Sequence, residues 1–479
     1  LLTGCGGDQL ADNEVQIGPF IVKVYGLDVN LGTASGNDKG AITGKVKLRY
    51  DAGGSSWQGG SYNNMFKAKI GVYKLDAADR ERGLAGAVFE VRDVSGRLFD
   101  TITTNEDGYA ETIDMPVGAY KVKEVVPPAG FILSNEVKTV TLTTEDKETA
   151  VFERMNKANE VVLTKTDFTT GKPVSGATVE IYDKEGKLFY EDVTDENGKI
   201  TVKELPAGAY TFRETISPNG YAVNANTFSF EMDTYGKVTG TTAFTNEPIT
   251  LTVKKMDSFS GKPMADIPFT LKDSAGNTVK TRMTDQGYRI AAVDGEETFQ
   301  VDDNGYAEFR YLKTGKYTLV ETVPTGYIAE DSVPFELTSS HSISEPFELT
   351  VNNCPTGVKI IKLDASTNQP LSDAGFRIKV KDGTDFATLS FTKQEDGKYF
   401  FDGNGKETDL MVDKNGEVVI LGLPMGAVWI EESVVPKGYF PVTARKAEVT
   451  KEASALSPIV IKVPNSKSVK LGLDNDWWE

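Results

Sequence analysis

A glycine, a short β-prone run and a glutamate recur four times at fixed spacing, and this repetition constrains the chain more than any other feature. The copies begin Gly118-Ala119-Tyr120, Gly208-Ala209-Tyr210, Gly315-Lys316-Tyr317 and Gly426-Ala427-Val428. Each reaches a glutamate four residues after the Tyr or Val: Glu124, Glu214, Glu321 and Glu432. A glycine–aromatic pair follows every time, at Gly130-Phe131, Gly220-Tyr221, Gly326-Tyr327 and Gly438-Tyr439. Upstream stand Lys74, Lys165, Lys255 and Lys362, each followed two residues later by an aspartate; downstream stand Asn156, Asn246, Asn353 and Asn465. Lysine and glutamate are 50, 49, 66 and 70 residues apart, whereas glutamate and asparagine are 32, 32, 32 and 33 apart. Insertions are therefore tolerated in the middle of a unit and not in its last third, as expected of excursions on one shared scaffold.

The units consist of short alternating runs separated by Gly and Asn turns such as Asp195-Glu196-Asn197-Gly198, and no helical period is sustained. That pattern predicts an all-β chain of tandem sandwich domains. The expected boundaries are repeats at 66–158, 159–248, 249–355 and 356–465. They are preceded by a flexible linker at 1–17 and a β cap or partial domain at 18–65, and followed by a tail at 466–479. Inserts fall around 287–300 in the third repeat and 384–410 in the fourth. Joints such as Asn246-Glu247-Pro248-Ile249 leave almost no linker, which favours an extended rod.

A net charge of −18 argues against nucleic-acid binding, which wants a basic footprint. One histidine, His341, in 479 residues makes histidine-based catalysis a poor fit. Cys5 and Cys354 are too far apart in sequence and too few for a disulfide scaffold or a zinc cluster, so no metal or cofactor is expected. Leu2-Thr3-Gly4-Cys5 resembles the end of a bacterial lipoprotein signal, which implies lipid on Cys5 and an extracellular protein tied to the membrane by that anchor alone.

Residues 66–465 resemble the collagen-adhesin B-type domains, immunoglobulin-like or prealbumin-like sandwiches of Gram-positive surface proteins and pilins. The resemblance rests on the Lys-x-Asp strand, the Gly-x-Tyr-x-x-x-Glu strand with its Pro/Gly/Tyr follow-up, and the terminal-strand asparagine. It implies intramolecular isopeptide bonds joining Lys74 to Asn156, Lys165 to Asn246, Lys255 to Asn353 and Lys362 to Asn465. Glu124, Glu214, Glu321 and Glu432 are implied as proton shuttles. The residue types suit the chemistry: only a neutral amine attacks, and burial lowers a lysine pKa from about 10.4. Burial raises a carboxyl pKa, which lets such a group hold and relay a proton. Folding supplies the effective concentration. Each bond forms once, so the chain is not expected to be an enzyme.

Two units depart from the common form. The first ends Arg154-Met155-Asn156-Lys157 in place of Thr-Asn-Glu-Pro, and in the fourth Val428 replaces the tyrosine while Glu431 stands beside Glu432. The expected role is a surface stalk or adhesin that meets a host or neighbouring-cell surface protein or glycan. A polymerising pilin-like subunit is an alternative, involving self-association. A binding module on the inserts is another, with Phe391, Tyr399 and Phe400 as the residues to inspect; a spacer for a partner enzyme is the last.

Overall fold

The alternation in the repeats becomes strands with alternating burial. In the second repeat, Glu160–Asp167 buries Val161, Leu163 and Lys165, and Gly208–Ile216 buries Tyr210, Phe212 and Glu214. A strand turns every second side chain to the same face. A tyrosine and a glutamate four residues apart therefore share the inner face, which is the physical basis of their fixed spacing.

This computed structural model describes residues 68–143 and 148–468, with four short strands before them at Glu14–Ile17, Phe20–Val24, Lys47–Tyr50 and Ser56–Gln58. Those four form one sheet in sequence order. Cys5 and the Trp477-Trp478 end lie outside the described residues. Among the described residues all regular elements are strands. The chain forms two compact units: Leu1–Thr166 with Pro173–Ile216 and Ala225–Phe244, and Asp167–Lys172 with Ser217–Asn224 and Thr245–Glu479.

The repeats are sandwiches of two sheets. In the first, Ala150–Asn156, Ile70–Asp76 and Tyr109–Glu111 form one sheet; Val137–Leu142, Gly118–Val126, Val88–Asp93 and Leu98–Thr103 form the other. Ile70, Val72, Phe89, Val91, Tyr120 and Val122 fill the space between them. First and last strands run side by side and parallel: Ile70–Asp76 with Ala150–Asn156, Thr250–Asp257 with Phe347–Pro355, and Gly357–Asp364 with Ile459–Asn465. The chain thus leaves such a repeat at the end opposite to its entry.

The inserts join the sheets. In the third repeat Thr281–Thr284 and Gly287–Ile290 extend the first sheet, and Phe299 packs edge-on against Phe309 at 4.6 Å. In the fourth, Thr392–Lys393 and Tyr399–Phe400 do the same. Two of the three residues to inspect for a binding module on this insert, Phe391 and Tyr399, prove to be core residues. Phe391 and Tyr399 are only 0% and 2% exposed, because the insert pairs as strands and turns these rings into the core.

Phe400 faces a joint between repeats. Within the second unit its ring centroid lies 6.2 Å from that of Tyr327, and Lys398 sits over Phe259 at 5.4 Å. Also within the second unit, Arg289 of the third repeat's insert lies over Tyr311 at 4.0 Å, and Tyr311 donates to Asp167 at 2.7 Å. In the first unit, where no insert exists, Arg82 pairs with Glu204 through its two terminal guanidinium nitrogens, at 2.5 and 2.9 Å.

Each joint also threads the chain past a glycine. Thr356 N–H donates to Gly326 O at 2.9 Å, and Gly422 N–H donates to Thr356 O at 3.0 Å. Gly326 has φ +85°, and a Cβ there would lie 2.1 Å from Gly422 O. A side chain at Gly326 thus meets both left-handed strain, about 1–2 kcal/mol, and a backbone clash. Gly326→Ala is expected to loosen this joint and leave the two cores folded. Hydrogen exchange at the Thr356 and Gly422 amides should accelerate at least tenfold, with core amides such as Ile360 unchanged; equal protection at both places would refute the assignment.

Candidate functional site

The first strand places its lysine two residues from its end, and the parallel register fixes what lies beside it. Lys74 is opposite Arg154, Lys255 opposite Val351 and Lys362 opposite Val463. Asn156, Asn353 and Asn465 come two residues later, on the same face and diagonal to the lysine. The glutamate arrives from the facing sheet, four residues along its strand from an inward Tyr120, Tyr317 or Val428. Three polar side chains from three strands thereby meet between the sheets.

In the first repeat Lys74 Nζ donates to Asn156 Oδ1 at 2.5 Å and lies 3.4 Å from Glu124 Oε1. Asn156 Nδ2 donates to both oxygens of Glu124, at 2.9 and 3.0 Å. In the fourth, Lys362 Nζ donates to Asn465 Oδ1 and lies 2.5 Å from Glu432 Oε1, while Asn465 Nδ2 donates to Glu432 at 2.8 and 3.1 Å. Glu431 points outward to Lys379 at 2.7 Å, so the inward carboxylate is Glu432, as the register requires. In the third, Lys255 Nζ is 3.0 Å from Glu321 Oε2 and Asn353 Nδ2 donates to Glu321 Oε1 at 2.5 Å. Lys255 Nζ, Glu321 Oε2 and Asn353 Oδ1 are nonetheless buried without a hydrogen bond. In the second, Lys165 Nζ is 3.2 Å from Glu214 Oε1 and 3.9 Å above the Phe244 ring. Asn246 is buried, and its Nδ2 donates to Ser217 Oγ at 2.7 Å.

All four lysines are fully buried. Burial pushes each amine below its ordinary pKa, more than the neighbouring glutamate pushes it up, and Lys165 falls to about 8. A substantial neutral fraction at moderate pH is the state in which an amine is a nucleophile.

Two features escape the sequence pattern. The turn glycines Gly108, Gly198, Gly305 and Gly416 each press on the lysine strand: the lysine N–H donates to the glycine carbonyl at 2.7–2.8 Å. A Cβ at Gly198 would lie 2.3 Å from Lys165 O, so these glycines are needed for close approach as well as for turning. The aspartate of each Lys-x-Asp pair caps the following turn. Asp167, for example, accepts the Thr169 and Thr170 N–H groups at 2.8 and 2.7 Å. Cys354 follows Asn353 on the strand and is half-buried.

A chain with two-sheet repeats, parallel terminal strands and an inward Lys–Glu–Asn set is a tandem array of prealbumin-like sandwiches, and comparison with known families agrees. The model of the SpaA prealbumin-like fold domain matches residues 68–157, 159–248, 249–347 and 356–465, and the chain belongs to this family. Among curated proteins it is 23% identical over 325 residues to serine-aspartate repeat-containing protein D of Staphylococcus aureus, covering 62% of this chain and 24% of that protein. It is 22% identical over 452 residues to serine-aspartate repeat-containing protein F of Staphylococcus epidermidis, covering 78% of this chain and 24% of that protein. The chain thus spans about a quarter of the length of these relatives. Similar solved structures include the Bacillus anthracis TIE protein (28% identity, TM-score 0.34, 64% of this chain and 57% of that one). The major pilin subunit of Bacillus cereus is another (14% identity, TM-score 0.27, 60% and 99%).

The buried pairs are coupled, so removing one partner strands the other. Glu321→Ala would leave Lys255 buried without its carboxylate, and breaking a buried pair costs about 3–5 kcal/mol. The third repeat of a Glu321→Ala, Asn353→Ala chain should therefore melt well below that of the Asn353→Ala chain, by calorimetry; equal melting would show that the pair contributes nothing.

Proposed function

We propose that this chain is a bacterial cell-surface structural protein, a stalk or adhesin, whose sandwiches are closed by Lys–Asn isopeptide bonds. The observation that carries the reading is the recurrence, in all four repeats, of a fully buried lysine amine beside a buried glutamate side chain, with a buried asparagine in the same repeat. In the third repeat three buried polar atoms have no hydrogen bond. Two of them, Lys255 Nζ and Glu321 Oε2, face each other 3.0 Å apart as an ion pair, and Asn353 Oδ1 is left as an acceptor without a donor, at a cost of about 1–3 kcal/mol.

The reaction balances within each site. The neutral lysine amine attacks the asparagine Cγ, forming a C–N bond; the Cγ–Nδ2 bond breaks and ammonia leaves. One amine proton moves through the glutamate carboxyl to Nδ2, and the glutamate ends as it began. Each product closes a loop of 81 to 103 residues between Lys and Asn. By the estimate used for disulfides, loops of that size remove unfolded-state entropy worth on the order of 4 kcal/mol. The ends of the structure and its exposed faces would meet a host or neighbouring-cell surface protein or glycan.

Two measurements test this. Intact mass of the unfolded chain should fall short of the translated mass by about 17 Da per bond. Lys165→Ala or Asn246→Ala should each restore one such increment; a mass equal to the translated chain refutes the reading. Bond formation in the second repeat should also speed up as pH rises toward about 8, where the Lys165 amine loses its proton, and level off above it. The rate should climb roughly tenfold per pH unit below that point. A flat profile from pH 5 to 8 would show that the amine's protonation does not limit the reaction.

A further inference from the structure

We infer that a backbone N–H orients the shuttle glutamate in the first and fourth repeats, making one carboxyl oxygen, Oε1, the sole relay for the proton. The inference rests on the isopeptide reading and goes beyond it by assigning a positioning group and a working oxygen.

The geometry is the same in both repeats. Ser134 N–H donates to Glu124 Oε2 at 2.8 Å, and Val442 N–H donates to Glu432 Oε2 at 3.0 Å. Each donor lies ten residues beyond its glutamate, in the loop after the glycine–aromatic pair. The other oxygen faces the reactants: Glu124 Oε1 is 3.4 Å from Lys74 Nζ and 2.9 Å from Asn156 Nδ2. Glu432 Oε1 is 2.5 Å from Lys362 Nζ and 2.8 Å from Asn465 Nδ2. Asn156 Nδ2 and Asn465 Nδ2 also donate to Oε2, at 3.0 and 3.1 Å, but it is Oε1 that touches both the nucleophile and the leaving group.

An N–H is a donor only, and it is satisfied by an oxygen that carries no proton. Holding Oε2 in that role leaves Oε1 to take the proton from the lysine amine and to hand it to Nδ2. The carboxyl plane is fixed too, so the proton need not cross the group. The third repeat lacks this arrangement: Glu321 Oε2 has no hydrogen bond and faces Lys255 Nζ, while Oε1 faces Asn353 Nδ2. Its loop is also a residue shorter between the glutamate and the glycine, Glu321 to Gly326 against Glu124 to Gly130. There the proton is taken by one oxygen and delivered from the other.

The test removes one N–H and leaves the side chains alone. An α-hydroxy acid in place of Val442, introduced by nonsense suppression, turns that amide into an ester. Cell-free synthesis with timed quenching and peptide mapping then gives the rate of bond formation for each repeat. The fourth repeat should slow at least about tenfold, within the range of a positioned acid–base group, with the first and third unchanged. The same ester in a Lys362→Ala chain reports, by melting, the stability lost with the hydrogen bond alone. A purely structural role would lower that melting point and leave the rate intact. Val442→Pro, which also lacks the N–H, should reproduce the slowing where the repeat folds. An ester chain that crosslinks its fourth repeat at the unaltered rate overturns the inference. Absence of ammonia loss in every repeat would instead remove the isopeptide reading itself.

Discussion

The structure depends on a lysine amine placed where water does not reach. A charged amine in the interior is costly unless a carboxylate and further hydrogen bonds meet it, and even then the balance is close. Each repeat meets the cost by placing the amine on one sheet and the carboxyl on the facing sheet, so the pair bridges the core. That bridge ties the two sheets to one register. A shift of one residue on either strand would turn the lysine or the glutamate outward. The apolar cores around the pairs, such as Val358, Ile360, Phe376 and Ile430 in the fourth repeat, tolerate exchange among similar residues; the polar set does not.

Much of this arrangement was legible because a period of two is simple to count. Tyr210 and Glu214 share a face by spacing alone, and the constant interval from glutamate to asparagine reflects a third of the repeat that carries no insert. The inserts were less legible for a matching reason. Phe391, Tyr399 and Phe400 look like a surface cluster when nothing says which strands they pair with. Pairing with Glu417–Leu421 turns Tyr399 inward and leaves Phe400 at a joint. Sequence likewise cannot show that Gly198 presses on Lys165, or that the Ser134 N–H points at Glu124, since both are backbone contacts between segments distant in the chain.

The Lys-x-Asp aspartates connect the sites to the joints. Asp364 accepts from Tyr439 at 2.8 Å, and Asp167 from both Tyr221 and Tyr311, at 2.9 and 2.7 Å. In the second and fourth repeats the tyrosine after the glycine therefore anchors the turn that ends the lysine strand. In the second unit the third repeat adds Tyr311 and Arg289 to that anchor, and the fourth adds Phe400 beside Tyr327. The fourth repeat's insert thus places an aromatic ring and a lysine against the third repeat.

Parallel terminal strands give the position of the lysine a mechanical meaning. In the first, third and fourth repeats the chain enters at the start of the lysine strand and leaves at the end of the asparagine strand, and Asp76, Asp257 and Asp364 lie opposite Asn156, Asn353 and Asn465. The lysine and asparagine therefore sit together at the exit end. A bond between them would let tension enter along one strand, cross a single side-chain link and depart, without passing through the remaining strands. A lysine at the entry end would instead leave the whole last strand to be peeled hydrogen bond by hydrogen bond. The same residues in an antiparallel terminal pair would put entry and exit at one end, where a link could not carry load across the domain. The parallel pairing is thus the part of the fold that would let a Lys–Asn bond, if formed, carry load from one end of a repeat to the other.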